Sequence, residues 1–367
     1  MGWAEQLPSG KYRAVYRDAD GRRRSAGTYH RKTDARRAAN KTEDAERDTP
    51  TAADLHGITW GAWQRHWQAS RSVAESTART DNARIRDHLT PQWGDTKLKS
   101  ITRTDVQTWV TRLKDSGMAA ATVERCYMLL SASMKAAVGA RAITTNPCQG
   151  VKRPQPAPQA DRYLADDEYA AIRKPLDAED KHAADLMLHT GLRLGEAVAL
   201  HAQHVNLDAL EVTVTWAYDP VAKLFKPPKD HQARPVPISA RYAKALAPLV
   251  HDALQRDPPD LPYTKGRKPH TGLILAKPDG SPINTDTLRK HWQAAARTAY
   301  VGTGKHRRKV GAVRLHDLRH TYASRLLRAG IPIEEVSRIL GHGSITTTMR
   351  YAHHGQSQWD KVREALN

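Results

Sequence analysis

Apolar residues return at helical spacing through the middle of the chain. Trp60, Trp63 and Trp67 fall at i, i+3 and i+7, Val106, Trp109, Val110 and Leu113 repeat the spacing behind the cap residue Thr102, and Val123, Cys126, Tyr127, Leu130, Met134 and Val138 form the longest stripe. A stripe on that period needs a partner to cover it, so residues 55–150 are predicted to form a bundle of about four helices with these side chains as its core. Upstream the period is two. Tyr12, Ala14 and Tyr16 alternate with Arg13, Val15 and Arg17, Asp20-Gly21 supplies a hairpin turn, and a second basic strand follows. A helix is predicted from the cap Thr33, carrying Ala35, Ala38, Ala39, Thr42 and Ala45 as a small-residue face suited to lying on a sheet.

From about residue 161 the pattern is mixed. Leu210, Val212, Val214 and Trp216 alternate as in a strand, and "RPVPI" (234–238) reads as another short extended piece. Helical patterns fill most of the rest, interrupted by a Pro-rich basic loop over 251–272. The stretches "DTPTAADLHG" (48–57) and "KRPQPAPQ" (152–159) read as linkers. The expected organisation is multidomain and mainly α with small β-sheets: a sheet plus helix over 1–50, a helical domain over 55–150, and a mixed α+β domain over 160–367. No internal repeat is visible.

Composition narrows the partners. Lys and Arg number 58 against 39 Asp and Glu, a formal net charge of +19 over 367 residues, and so large a surplus calls for a polyanionic partner. Between Gly10 and Lys41 eleven Lys/Arg face three Asp/Glu. That marks Arg13, Arg17, Arg22, Arg23 and Arg24 as candidate DNA contacts, and Arg84, with other basic residues on the polar helix faces, as a further one. No apolar run approaches the roughly 18 residues of a membrane span, and no signal peptide or lipidation motif opens the chain, so a cytoplasmic protein is expected. Cys126 and Cys148 lack metal-ligand spacing. With no Walker loop, no HExxH and no acidic pair spaced for Mg²⁺, neither metal nor cofactor is expected, and the chemistry falls to side chains.

Four stretches hold basic side chains in distinctive settings. "HTGLRLGEAVAL" sets Arg193 at a helix start with Glu196 three residues on, where a carboxylate orients a guanidinium. "FKPPKDHQARPVPI" places Lys229 in a turn between strands. "LHDLRHTYASRLL" puts His316, Arg319 and His320 on one helix face and Leu315, Leu318, Tyr322 and Leu326 on another. "IEEVSRILGHGSITTTMRYAHH" ends a helix at Gly341, sets His342 in the joint, and restarts at Ser344 so that Tyr351 returns to the same face two turns later. Arginine forks match phosphate oxygens, lysine suits a general acid, histidines manage protons, and a tyrosine hydroxyl is a nucleophile. Such a set on a basic chain points to cleavage of a phosphodiester, with Tyr351 attacking to leave a phosphotyrosine.

These residues resemble the tyrosine recombinases of the phage-integrase family. Arg193 matches the first catalytic arginine in "TGLRLGE", Glu196 its adjacent acid, His316 and Arg319 the H-x-x-R box, His342 the "LGH" box and Tyr351 the "RYAH" nucleophile. Lys229 matches the hairpin lysine, although "KDHQAR" departs from the commoner Lys-Thr start and Lys223 and Lys226 lie close by. The resemblance implies an arm-site-binding sheet, a core-site-binding helical domain and a catalytic domain. It further implies recombination without ATP or divalent metal, through a 3′-phosphotyrosyl intermediate and a Holliday junction, by four protomers on double-stranded DNA with core-type and arm-type attachment sites. An integrase of a mobile element would also have an excisionase and a DNA-bending host factor as partners, and would be bacterial or phage-encoded and associated with the nucleoid. Two other readings remain open here: a type IB topoisomerase, and a transcription regulator in which "YASRLLRAGIPIEEVSRILGHGSITTTMRY" is a helix-turn-helix.

Overall fold

The computed structural model describes residues 2–17, 21–47, 57–155, 162–228, 232–264, 266–349 and 351, with side chains omitted for 44–47. The chain divides into two compact units, Met1–Pro158 and Gln159–Asn367.

The first unit opens with an antiparallel sheet of three strands, β1 (Trp3–Gln6), β2 (Tyr12–Arg17) and β3 (Arg23–Tyr29), in the order β1-β2-β3. Strand β1 was not expected, because "WAEQ" is too short and too polar to show alternation. Helix α1 (Lys32–Arg47) begins one residue before the predicted cap and buries Ala35 and Ala39 against Ala14. The small faces allow close approach: a Cβ added at Gly2 would sit 2.7 Å from Ala39. A bulge between Ala14 and Val15 interrupts the pairing with β3, so Ala14, Val15 and Tyr16 are all buried instead of alternating. Asp20 of the predicted turn lies outside the described residues, as does the 48–57 linker apart from Gly57.

The helical part of this unit comprises α2 (Trp60–Ala69), α3 (Glu75–Arg84), α4 (Thr90–Trp93), α5 (Arg103–Asp115) and α6 (Ala120–Gly139). A π turn, Ile85–Leu89, joins α3 to α4. It ends two residues before Pro91, whose ring has no N–H to offer and crowds the carbonyl four residues back, that of Asp87, in a regular helix. The predicted stripes are the core: Trp60, Trp109, Val123, Leu130 and Met134 are buried, Trp93 meets Trp109 edge to face at 5.7 Å, and the Trp60 and Trp63 indoles donate to Ser133 of α6. Thr102 caps α5 through a reciprocal bond with Asp105.

The second unit runs α7 (Asp166–Arg173), α8 (Ala178–Thr190), α9 (Leu194–Val198), β4 (Val205–Asn206), β5 (Glu211–Val214), β6 (Ala217–Asp219), β7 (Leu224–Lys226), β8 (Arg234–Pro237), α10 (Ala240–Leu254), α11 (Thr285–Thr298), β9 (Tyr300–Val301), β10 (Arg308–Lys309), α12 (His316–Arg328), α13 (Ile333–Leu340) and α14 (Ile345–Met349). Strands β4, β5 and β8 form an antiparallel sheet in which Val212 pairs with both Val205 and Val236, and β6 and β7 form a hairpin. Helix α10 extends to Leu254, so the predicted loop starts four residues late. Its aromatic Tyr263 stacks on Phe225 of β7 at 4.7 Å. Helix α12 packs against α8 and α13 and is buried from Asp317 through Ser324. Of the face shared by His316, Arg319 and His320, the structure holds Arg319 and His320 inside the protein.

Candidate active site

The site begins where α8 ends. Gly191 caps α8 in the left-handed conformation (φ 65°), a geometry that glycine adopts without strain, and turns the chain so that Arg193 becomes the N-cap of α9. Glu196, one turn in, reaches back to the Arg193 backbone N–H at 3.0 Å and accepts from its guanidinium at 2.8 Å. Arg234, the first residue of β8, grips the same carboxylate from the other side, Nη2 to Oε2 at 2.6 Å and Nη1 to Oε1 at 3.2 Å. Arg319 of α12 approaches it at 4.0 Å. Three guanidiniums thus surround one carboxylate that is 2 % exposed.

The same three side chains share a second support. Arg234 Nε donates to Ile339 O at 2.9 Å, Arg319 Nη2 to Leu340 O at 2.6 Å, and Arg193 Nη2 to Gly341 O at 2.9 Å. These consecutive carbonyls close α13, where the last turn has no further N–H to satisfy it and the helix dipole favours cations. Gly341, left-handed at φ 64°, ends the helix there. Arg319 also donates to Gly191 O at 2.7 Å, which ties α12 to the α8 cap.

Burial and like charge set the protonation states. Desolvation, then the neighbouring Arg193, brings the Arg319 guanidinium down to about 9, still protonated at neutral pH. Burial pushes Glu196 up, but Arg234, Arg193 and Arg319 outweigh it and hold the carboxyl below its ordinary value. His342 loses hydration and faces Arg319, Arg193 and Arg234, which together bring it down to about 3. His316 has its side chain open to solvent, yet the protein around it removes enough hydration, with His320, Arg319 and Arg314 adding repulsion, to bring it down to about 4. Both histidines are neutral at pH 7. His342 Nδ1 lies 2.7 Å from the hydroxyl of the buried Thr348. When that hydroxyl donates, the imidazole carries its own proton on Nε2.

Tyr351 follows α14 in a turn closed by its N–H to Thr348 O at 2.9 Å. The final helix is thus shorter than the two turns expected, ending at Met349. The phenol is 2 % exposed and its hydroxyl lies 2.5 Å from His320 Nδ1, with His320 edge-on to His316 at 4.7 Å. The structure therefore brings together Arg193, Glu196, Arg319, His342, His316 and Tyr351. Lys229 lies outside the described residues; of its neighbours, Lys226 is paired with Asp219 at 2.6 Å and Lys223 is exposed.

The remaining candidates lie in the first unit. Arg13, Arg17, Arg23 and Arg24 are exposed on the sheet and Arg22 just before β3, with Arg23 paired to Glu5 and Arg17 donating to Gly21 O at 3.0 Å. Arg84 is half-buried beside Asp81 at 3.6 Å. One grouping escaped the sequence reading: Asp177, Asp180 and His291 offer atoms within 4.8 Å of one another. Asp177 caps α8 and Asp180 pairs with His291 at 2.7 Å, so both carboxylates already have structural partners.

Comparison with known proteins decides the family. The profile described as the phage integrase family matches residues 159–358, and that of the N-terminal SAM-like domain of phage integrases matches 63–114. The chain belongs to the phage integrase family. It is 24 % identical to the tyrosine recombinase XerD of Bifidobacterium longum over 78 % of this chain and 90 % of that one. It is 25 % identical to a putative prophage phiRv2 integrase of Mycobacterium tuberculosis over 100 % and 95 %. The fold is shared with the Tn1549 transposon integrase bound to transposon right end DNA, at TM-score 0.65 and 18 % identity over 84 % of this chain and 98 % of that one. It is also shared with a lambda integrase tetramer bound to a Holliday junction, at TM-score 0.60 and 19 % identity over 95 % and 94 %. As an integrase-type tyrosine recombinase, the chain is an enzyme of site-specific DNA recombination. No helix among its described residues is long and apolar enough to cross a membrane.

Sequence reasoning missed Arg234 and left His320 and Thr348 without a role. Arg234 had a signal: in "RPVPI" it shares the strand face of Val236 and Ile238, the inward one.

Proposed function

We propose that Arg193 and Arg319 hold the scissile phosphate of a double-stranded attachment site while the Tyr351 oxygen attacks phosphorus. The P–O bond to the 5′-oxygen breaks, that oxygen takes a proton from Lys229, and the strand end stays on the enzyme as a 3′-phosphotyrosine until the reverse reaction joins it to a new partner. His342, neutral and donating from Nε2, bonds a phosphate oxygen, and the neutral His316 at the α12 start takes the proton that the Tyr351 phenol gives up as it attacks. Arg193, with 28 % of its side chain exposed, is open to a ligand. Arg319 and Tyr351, at 1 % and 2 %, are covered, so engagement of DNA requires the segment around His342–Tyr351 to shift.

What supports this reading most is the cluster of three guanidiniums on a single buried carboxylate, a net cationic hole beside a phenol already bonded to an imidazole. The lambda and Tn1549 relatives are integrases in complex with DNA. By extension the basic sheet of residues 1–50 takes arm-type sites, the helical domain of 55–150 and the catalytic domain of 160–367 clamp the core site, and four protomers act at a Holliday junction. An excisionase and a DNA-bending host factor set direction, and the reaction takes place at the nucleoid.

The test is Tyr351→Phe on a nicked suicide duplex spanning the ends of the element that carries the gene. The expected outcome is retained binding with no covalent adduct on a denaturing gel. An adduct formed by the Phe variant would remove Tyr351 from the role.

A further inference from the structure

We propose that Arg234 is a positioning residue for cleavage: it sets the geometry and charge of Arg193 and Arg319 without touching DNA. The inference rests on the reading above for its kinetic consequence, though not for its structural one. Arg234 cannot meet a substrate in the described state, because its side chain is 7 % exposed and all three of its guanidinium nitrogens are engaged within the protein. Two of them hold both oxygens of Glu196, in the planar bidentate geometry that fixes a carboxylate's orientation. That orientation places Oε1 for the Arg193 fork and Oε2 for the Arg193 backbone N–H. The third nitrogen bonds Ile339 O, next to the carbonyls that receive Arg319 and Arg193. Arg234 thus reaches both supports of both arginines.

Its charge has a separate effect. One carboxylate among three guanidiniums leaves two positive charges. Without Arg234, Glu196 would neutralise one of the two arginines that face the phosphate, and a preorganised cation is worth most where water is excluded. Methionine at 234 removes geometry and charge together, whereas lysine keeps the charge but offers one donor nitrogen in place of a planar fork.

The experiment measures single-turnover adduct formation on the suicide duplex, and duplex affinity, for the full-length wild type, Arg234→Met and Arg234→Lys. The expected result for Arg234→Met is cleavage slower by about 100-fold with affinity within about threefold, and for Arg234→Lys recovery of at least about tenfold. In a Glu196→Gln background the Arg234→Met loss should shrink to a few-fold, since the residue it acts through is gone. Wild-type cleavage by Arg234→Met, a loss matched by affinity or by the unfolded fraction, or a full loss persisting in the Glu196→Gln background would each overturn the proposal. A wild-type chain that forms no adduct would instead refute the cleavage reading. In that event guanidinium NMR on arginine-labelled full chain still decides the structural claim: Arg319 protons should exchange at least about tenfold faster in Arg234→Met, and unchanged protection would overturn it.

Discussion

Glu196→Gln is the most informative change to the site, because it removes one charge and almost no volume. The carboxylate accepts four hydrogen bonds from Arg193 and Arg234, at 3.0, 2.8, 3.2 and 2.6 Å, with Arg319 at 4.0 Å. At an effective dielectric near 20 a pair of charges about 4 Å apart is worth roughly 4 kcal/mol, and the cost of desolvating the carboxylate offsets a large part of the summed attraction. Breaking a buried pair by deleting one partner costs about 3–5 kcal/mol, because the other charge stays behind unpaired. Glutamine keeps one acceptor but turns an NH₂ group toward a guanidinium, so a loss of about 4 kcal/mol is expected, near the middle of that range. At about 2–4 °C per kcal/mol for a unit of this size, calorimetry should show the catalytic transition falling by roughly 10 °C. Cleavage should fall as well, since the Arg193 fork loses its orienting group. A transition displaced by less than about 2 °C, under 1 kcal/mol, with cleavage unchanged would show that the α13 carbonyls hold the arginines alone.

Gly191→Ala combines a left-handed backbone with a Cβ placed 2.4 Å from the Tyr322 ring, so a loss of about 2–4 kcal/mol in urea unfolding is expected, with slower cleavage because Gly191 O holds Arg319; a variant within 1 kcal/mol of wild type would contradict the geometry. His316 and His342, at about 4 and about 3, bind fewer protons folded than unfolded near 6.5. Their contribution is intact above pH 6.5 and lost as pH falls from there toward about 4 for His316 and about 3 for His342, so the melting temperature should decline over that window, less steeply in His342→Asn; identical slopes would contradict the His342 assignment. Deleting residues 1–48 should abolish protection of distal arm-type sites in footprinting while leaving core-site cleavage, and equal footprints for the two proteins would defeat the arm proposal.

The sequence is readable where one local rule governs. The tryptophan stripe of α2 and the α5 and α6 stripes became the core of the helical part, because amphipathic spacing and burial report the same fact. Gly341 and Gly191 fell at helix ends because only glycine takes the left-handed cap cheaply. Arg193 and Glu196 met because i and i+3 lie on one helix face. What failed to show depends on distant partners. Arg234 sits 38 residues from Glu196 in sequence, in a stretch that reads only as a short extended piece, and the face it shares with Val236 and Ile238 does not alone mark its first position as a buried cation. The burial of Arg319 and His320 does not show in the sequence either, because nothing local reveals that α8 and α13 pack over α12. The bulge after Ala14 shifts a register that alternation assumes constant.

The end of α13 explains why the arginines and the tyrosine belong to one device. Ile339, Leu340 and Gly341 offer their carbonyls to Arg234, Arg319 and Arg193. The next residue is His342, whose N–H closes back on Ser337 O at 3.1 Å. His342 then bonds Thr348, and Thr348 O receives the N–H of Tyr351. A displacement that frees the Tyr351 hydroxyl from His320 therefore pulls on a chain of bonds anchored at the carbonyls that hold the guanidiniums. In the proposed reaction, a phosphate arriving at Arg193 would pull on one of the same carbonyls, Gly341 O, from the other side. The two events would draw on one set of bonds, so the proposed reaction predicts that the burial of the phenol and the readiness of the cationic hole are coupled through the last turn of a single helix. A double-mutant cycle between Thr348→Val and Arg193→Lys, read on adduct formation, would measure this as a coupling energy, and strict additivity would refute it.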